Sequence, residues 1–177
     1  MTAEMENVYL EITAWVFGIL AMLSLFLAYQ QNARKKLLTR KLCADICWVI
    51  HYWCLGGYGG LIPNAVGVFR ELVFVQRDKH KLANNPFIPV IFILINFSLG
   101  MLTFEKPINL LPIVASSLVT VSLWLRNPKL TKIIVIPVSL SYWIYNFFIG
   151  SWIGVINESI SIASIIISFV KDRRFRT

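Results

Sequence analysis

Seven apolar stretches, separated by short polar or glycine-rich breaks, constrain this chain more than any other feature. They run at roughly 13–30, 42–57, 60–77, 87–104, 108–125, 131–149 and 151–170. Each approaches the ~20 residues that a helix needs to cross about 30 Å of hydrocarbon. The breaks are the basic cluster Arg34, Lys35, Lys36, Arg40 and Lys41, the run Gly56-Gly57-Tyr58-Gly59-Gly60, and the polar stretch Asp78 to Pro86. Glu105-Lys106-Pro107, Arg126-Asn127-Pro128-Lys129 and the turn at Gly150-Ser151 follow. Composition agrees: 57% of residues are hydrophobic and 15% charged, with mean hydropathy +0.68. A soluble domain keeps about 25% of its residues charged, so lipid is the solvent this surface suits.

The second stretch is the weakest span, because it carries Asp45 and His51. Charge placement decides in its favour. Of the 17 Lys and Arg residues, 15 fall in the first, third and fifth breaks and in the C-terminal tail. Cytoplasmic loops are enriched in these residues, and without the second span the first cluster would lie on the opposite side from the other three. The expected fold is therefore an all-α polytopic membrane protein of seven transmembrane helices. Its N-terminus lies outside, and its basic tail (171–177) lies in the cytoplasm. The acidic N-terminus (Glu4, Glu6, Glu11) lacks the basic region and the cleavage site of a signal peptide, so the first stretch is expected to remain as a helix. The net charge of +8 is dispersed over four loops, which argues against nucleic acid and for a lipid bilayer as partner.

A shift of 94 residues (56 to 150) lays Gly56 on Gly150, Gly60 on Gly154, His51 on Tyr145 and Asp78 on Asp172. One residue of slippage brings Asn64 onto Asn157 and Tyr52 onto Tyr145. The expectation is a single membrane domain (1–177) in a 3-1-3 arrangement. A three-helix repeat at 13–77 and a second at 108–170 flank a linker helix at 87–104. Both repeats enter from outside, so they are parallel and related by an axis along the membrane normal.

Polar groups inside a bilayer are costly, which makes each a candidate for function. Asp45 and Arg70 are placed to pair between adjacent helices, as a structural clamp or as a gate. Glu71 points about 100° from Arg70, toward the bundle centre or toward Arg70's neighbours. Gly60, Asn64, Gly67 and Glu71 share one helical face; so do Gly154, Asn157, Ser161, Ser164 and Ser168, with Glu158 beside them. Small residues there serve close packing, whereas Asn64 and Asn157 suit the lining of a polar site on the axis. His51, Trp48, Tyr52, Tyr142, Tyr145 and Asn146 come from the corresponding second and sixth helices. His51 reads either as a hydrogen-bonded packing residue or as a proton-sensitive group. Trp48 and Trp143 lie deep enough to stack on a sugar or nucleoside, and Trp15 and Trp152 near the outer surface as belt residues. Pro112 and Pro137 are expected to kink their helices, and Pro63 to sit harmlessly in a first turn. Cys43, Cys47 and Cys54 read as small apolar fillers. No phosphate-binding, zinc or nucleophile–base pattern is present, so no cofactor, no metal and no enzymatic activity are expected.

Asn64-Ala65 followed by Arg70, Leu110-Leu111-Pro112-Ile113, and Trp143-Ile144-Tyr145-Asn146 leading to Gly150-Ser151-Trp152-Ile153-Gly154 resemble the bacterial inner-membrane YgjV-type family over almost the whole chain. The resemblance implies a bacterial plasma-membrane location and brings no established activity with it. The 3-1-3 arrangement is also similar to SWEET and PQ-loop proteins, which move sugars or amino acids. Here Tyr29-Gln30-Gln31 takes the place of the Pro-Gln dipeptide without its proline. Two functions follow as expectations. One is a transporter or facilitator of a small polar solute (sugar, amino acid or nucleoside), working by alternating access between the repeats. Its site would comprise Asn64, Asn157, His51, Trp48, Tyr145, Asn146 and Glu158. The other is a non-transporting membrane protein that binds a partner or anionic lipid through its basic loops. The sequence leaves both a monomer and a homo-oligomer open.

Overall fold

The computed structural model describes residues 3–29, 34–102, 104–125 and 128–174. Gln30-Gln31, Arg126 and the tail end 175–177 lie outside the described residues. The rest form seven α-helices with no strand among them. These are α1 (Ala3–Tyr29), α2 (Arg34–Cys54), α3 (Tyr58–Gln76), α4 (Phe87–Leu102), α5 (Leu110–Leu125), α6 (Pro128–Phe148) and α7 (Trp152–Arg174), with 3-10 turns at Leu82–Asn84 and Pro107–Asn109. Two segments, Met5–Ala28 and Pro107–Leu125, combine the length and hydropathy (2.1 and 1.8) of membrane-crossing helices.

Three boundaries differ from the expectation. The first two helices start at Ala3 and Arg34 rather than near 13 and 42. Hydropathy marks where lipid contact begins, whereas acidic residues at a helix N-terminus and Lys or Arg anywhere along it are compatible with helix. Because α5 opens at Leu110, Pro112 falls in its first turn and costs no intrahelical bond. Pro63 instead lies in the second turn of α3, so the interior prolines are Pro63 and Pro137. Cys43 is exposed on the outside of the bundle rather than filling it.

The packing is inverted relative to a soluble core. Large apolar side chains cover the exterior, among them Val8, Ile12, Val16 and Leu23 on α1 and Val90, Ile91 and Leu94 on α4. The buried stripe of α1 is Ala14, Ala21 and Ala28, seven residues apart and therefore on one face. Gly18 joins that stripe, and a Cβ there would stand 2.5 Å from Ile153 on α7 and 2.9 Å from His51 on α2. Small residues inside and bulky ones outside is how helices associate where lipid replaces water.

The main helix contacts close a ring. α1 packs on α2, α2 on α3, α3 on α5, α5 on α6, α6 on α7, and α7 back on α1. α4 stands outside this ring against α3 and α5, where Asn96 Nδ2 donates to the Ile113 carbonyl at 2.8 Å. The C-terminal ends of α3 and α5 lie together. There Arg77 stacks its guanidinium 3.5 Å from the Trp124 ring centroid and donates to the Trp124 carbonyl at 2.7 Å.

The turns after α2 and α6 are duplicates at the 94-residue offset. Gly57 N bonds Tyr52 O at 2.8 Å and Gly56 N bonds Trp53 O at 3.0 Å. Ser151 N bonds Asn146 O at 2.9 Å and Gly150 N bonds Phe147 O at 3.3 Å. This pair of bonds is the Schellman ending, which needs a left-handed residue just past the helix. Gly56 (φ 64) and Gly150 (φ 72) supply it. The duplication continues into the next helix, where Leu61 N bonds Gly57 O and Val155 N bonds Ser151 O, each at 3.0 Å.

Candidate functional site

The ring encloses a cavity of about 90 Å³ lined from every helix except α4. Its lining falls into pairs at the same offset. Leu25 of α1 answers to Val119 of α5, and Lys41, Asp45 and Trp48 of α2 to Val135, Ser139 and Tyr142 of α6. Asn64 of α3 answers to Glu158 of α7. The unslipped register therefore holds through α3 and α7, and Asn64 matches Glu158 rather than Asn157. Asn157 is buried outside the lining and donates its amide to Glu158 Oε1 at 2.8 Å.

The pairs match in position but not in charge. The first three helices carry a four-charge cluster. Lys41 Nζ sits 2.8 Å from both Asp45 oxygens and 3.3 Å from Glu71 Oε1. Arg70 Nη2 lies 2.9 Å from Glu71 Oε1 and 3.7 Å from Asp45 Oδ2. Its Nη1 crosses to α5, donating to Thr120 Oγ1 at 2.9 Å and to the Ser116 carbonyl at 3.1 Å. Arg70, Glu71 and Asp45 are 2%, 0% and 3% exposed, so no member of the cluster can lose its partners without leaving a buried charge. Asp45 and Arg70 thus meet inside a larger network, and Glu71 engages both Arg70 itself and its neighbour Lys41. Sequence periodicity does not reveal this, because adjacent residues on a helix point apart and only long side chains can close the gap.

One end of the cavity, on the side of the glycine turns, is spanned by hydrogen bonds that exchange between the two halves. His51 Nε2 meets Ser151 Oγ at 2.7 Å, and its Nδ1 meets the Ala14 carbonyl at 2.7 Å. Tyr145, the counterpart of His51, accepts from Gly60 N at 2.8 Å through its hydroxyl. Tyr52 donates to Asn146 Oδ1, its own counterpart, at 2.8 Å. Gly60 and Gly154 allow this closeness: a Cβ on Gly60 would stand 2.9 Å from Tyr145, and one on Gly154 would collide with Asn146. His51, Tyr145 and Asn146 therefore belong to a transverse layer, while Trp48, Tyr52, Asn64 and Glu158 face the cavity.

At the opposite, basic end the lining includes Lys41, Leu123 and Ile134. Sequence reasoning left Lys41 in a loop and passed over Ser139. The 94-residue shift applied without slippage is the signal that finds Ser139, since it sits opposite Asp45. Among the described residues no three His, Cys, Asp or Glu side chains converge as a metal site.

A protein-family model, Imp-YgjV, described as bacterial inner membrane protein, matches residues 12–176. No curated protein and no solved structure matches the chain, so the similarity to SWEET and PQ-loop proteins gains no support from these comparisons.

Proposed function

We propose that this chain, which belongs to the Imp-YgjV family of bacterial inner membrane proteins, carries a small polar solute across that membrane by alternating access. In this reading all seven helices cross the bilayer, with the glycine turns outside and the basic loops in the cytoplasm. The exposed Lys35, Lys36, Lys79 and Lys81 then face the anionic inner leaflet, as the positive-inside rule requires. Helices α1–α3 and α5–α7 are parallel repeats about an axis along the membrane normal, and α4 is the linker that restores the direction of entry.

The observation that carries the reading is a cavity lined in offset-related pairs by both halves, its mainly apolar wall carrying Asn64, Ser139 and Glu158. Asn64 and Glu158 have local hydrogen-bond partners, the Gly60 carbonyl and the Asn157 amide. Yet an amide and a carboxylate beside a cavity are expensive in a membrane interior unless the space serves a polar solute. The hydrogen-bonded layer at the outer end would close the site from outside, and its release would open it. Both layer and cavity span the two halves, which is where rocking of one repeat against the other acts.

Purified protein in proteoliposomes, tested for uptake against sugars, amino acids, nucleosides and amines, checks this. Uptake of at least one solute above protein-free vesicles is expected. It should stop when Tyr52→Cys and Asn146→Cys are bridged by a bifunctional methanethiosulfonate that spans the gap left by the tyrosine ring, and return on reduction. Uptake of none, or uptake indifferent to that cross-link, contradicts the proposal.

A further inference from the structure

The cavity has an uncompensated charge. Lys41 and Arg70 are the cations in its lining, and both are engaged by Asp45 and Glu71. Those four charges balance. Glu158 is a fifth, facing the cavity from α7; it is hydrogen-bonded by the uncharged Asn157 amide and Ser139 hydroxyl, and the cation that attracts it, Lys41, is already shared by Asp45 and Glu71. Two neutral donors orient a carboxylate without cancelling its charge, and in a low-dielectric interior that charge calls for a counter-charge.

From this we infer that the cavity is a binding site for one small organic ammonium ion, held at the Glu158 carboxylate. The inference rests on the transport reading for its biological sense and specifies the solute class of that same site. Trp48 and Tyr142, an offset-related pair, line the same space, and Tyr52, stacked on Trp48, adds a third ring. Aromatic faces attract ammonium groups and give nothing comparable to anions. The volume sets the size. At about 15 Å³ for each water-sized group, 90 Å³ accommodates roughly six non-hydrogen atoms.

In the empty cavity a proton on Glu158 supplies the same charge, so amine and proton compete. The groups facing Glu158 are Ser139 and Tyr142 from α6, Lys41, Asp45 and Tyr52 from α2, and Arg70 from α3, while α1 brings the apolar Leu25. Affinity for an amine therefore rises as rising pH removes that proton, over a range in which an alkylammonium keeps its charge.

Isothermal titration of the full chain in detergent with n-propylammonium, propionate and 1-propanol tests the inference, since these probes share a shape and differ in charge. Saturable binding is expected for n-propylammonium, weaker by about tenfold or more for the other two, as loss of a charge-assisted contact requires. Glu158→Gln should lose about tenfold or more in affinity, and Trp48→Leu a smaller factor of roughly five. Should Glu158→Gln fail to fold, Glu158→Asp must keep the preference for the ammonium probe. Absent binding, equal binding of the three probes, a Glu158→Gln variant of wild-type affinity, or affinity falling with pH would each overturn it. Binding without flux leaves this site standing and removes the transport reading; flux of a neutral solute without amine binding does the reverse.

Discussion

At Arg70 one guanidinium touches three helices: Glu71 on its own helix, Asp45 on α2, and Ser116 with Thr120 on α5. A planar five-donor fork can serve partners in several directions, which an ammonium cannot. Arg70→Leu leaves two carboxylates sharing Lys41 alone, and stability should fall by about 3–5 kcal/mol, as for other buried pairs that lose one member. Melting in detergent reads this as a large drop in Tm. The double variant Arg70→Leu, Glu71→Leu removes one charge of each sign and should recover most of the loss. A single variant that melts like the wild type would sink the network as a stabilising element. The Asp45–Arg70 contact could be read from the sequence because a buried acid and a buried base on neighbouring helices have few other solutions. Lys41 could not, because hydropathy assigns a lysine beside a basic cluster to the loop, although its long stem lets the ammonium reach inward.

At the element scale, the turn pairs Gly56-Gly57 and Gly150-Ser151 show what chain chemistry alone dictates. Both glycines hold a positive φ, and a Cβ at either would touch nothing within 4 Å. Gly56→Ala and Gly150→Ala should therefore cost only the backbone strain, about 1–2 kcal/mol each. Gly154→Ala should cost more, because its Cβ collides with Asn146. Melting curves of the three variants check the ranking, and a Gly154→Ala variant milder than Gly150→Ala would contradict it. The glycine turns were legible because glycine marks a helix ending directly. Beyond them residue type pairs Asn64 with Asn157, whereas the cavity lining brings Asn64 together with Glu158 at the unslipped offset. Hydrogen bonds repeat where side chains do not: Tyr52 answers to Asn146 and Asp45 to Ser139, pairs that share a position and little chemistry. Pro63 and Pro112 exchanged roles for a similar reason, since each depends on a helix start that hydropathy locates only loosely.

For the whole molecule, six helices form a ring around a cavity that carries charged and polar groups on a mainly apolar wall, and α4 stands apart. Seven helices and a membrane location were legible in the apolar stretches and the alternating basic loops. The cavity was not, because its volume depends on how small residues such as Ala14, Gly18 and Ala21 set the helix spacing. The central claim is that this space is wet and opens in turn to either side of the membrane. Ser139 is 2% exposed and lines the cavity, so its labelling depends on that space opening. With Cys43, Cys47 and Cys54 replaced by alanine, Ser139→Cys can be challenged with a membrane-impermeant maleimide from each face of oriented vesicles. The account predicts labelling from the cytoplasmic face and slower labelling from the outer face. A cysteine that stays unlabelled from both faces would mean a dry, closed bundle and contradict it.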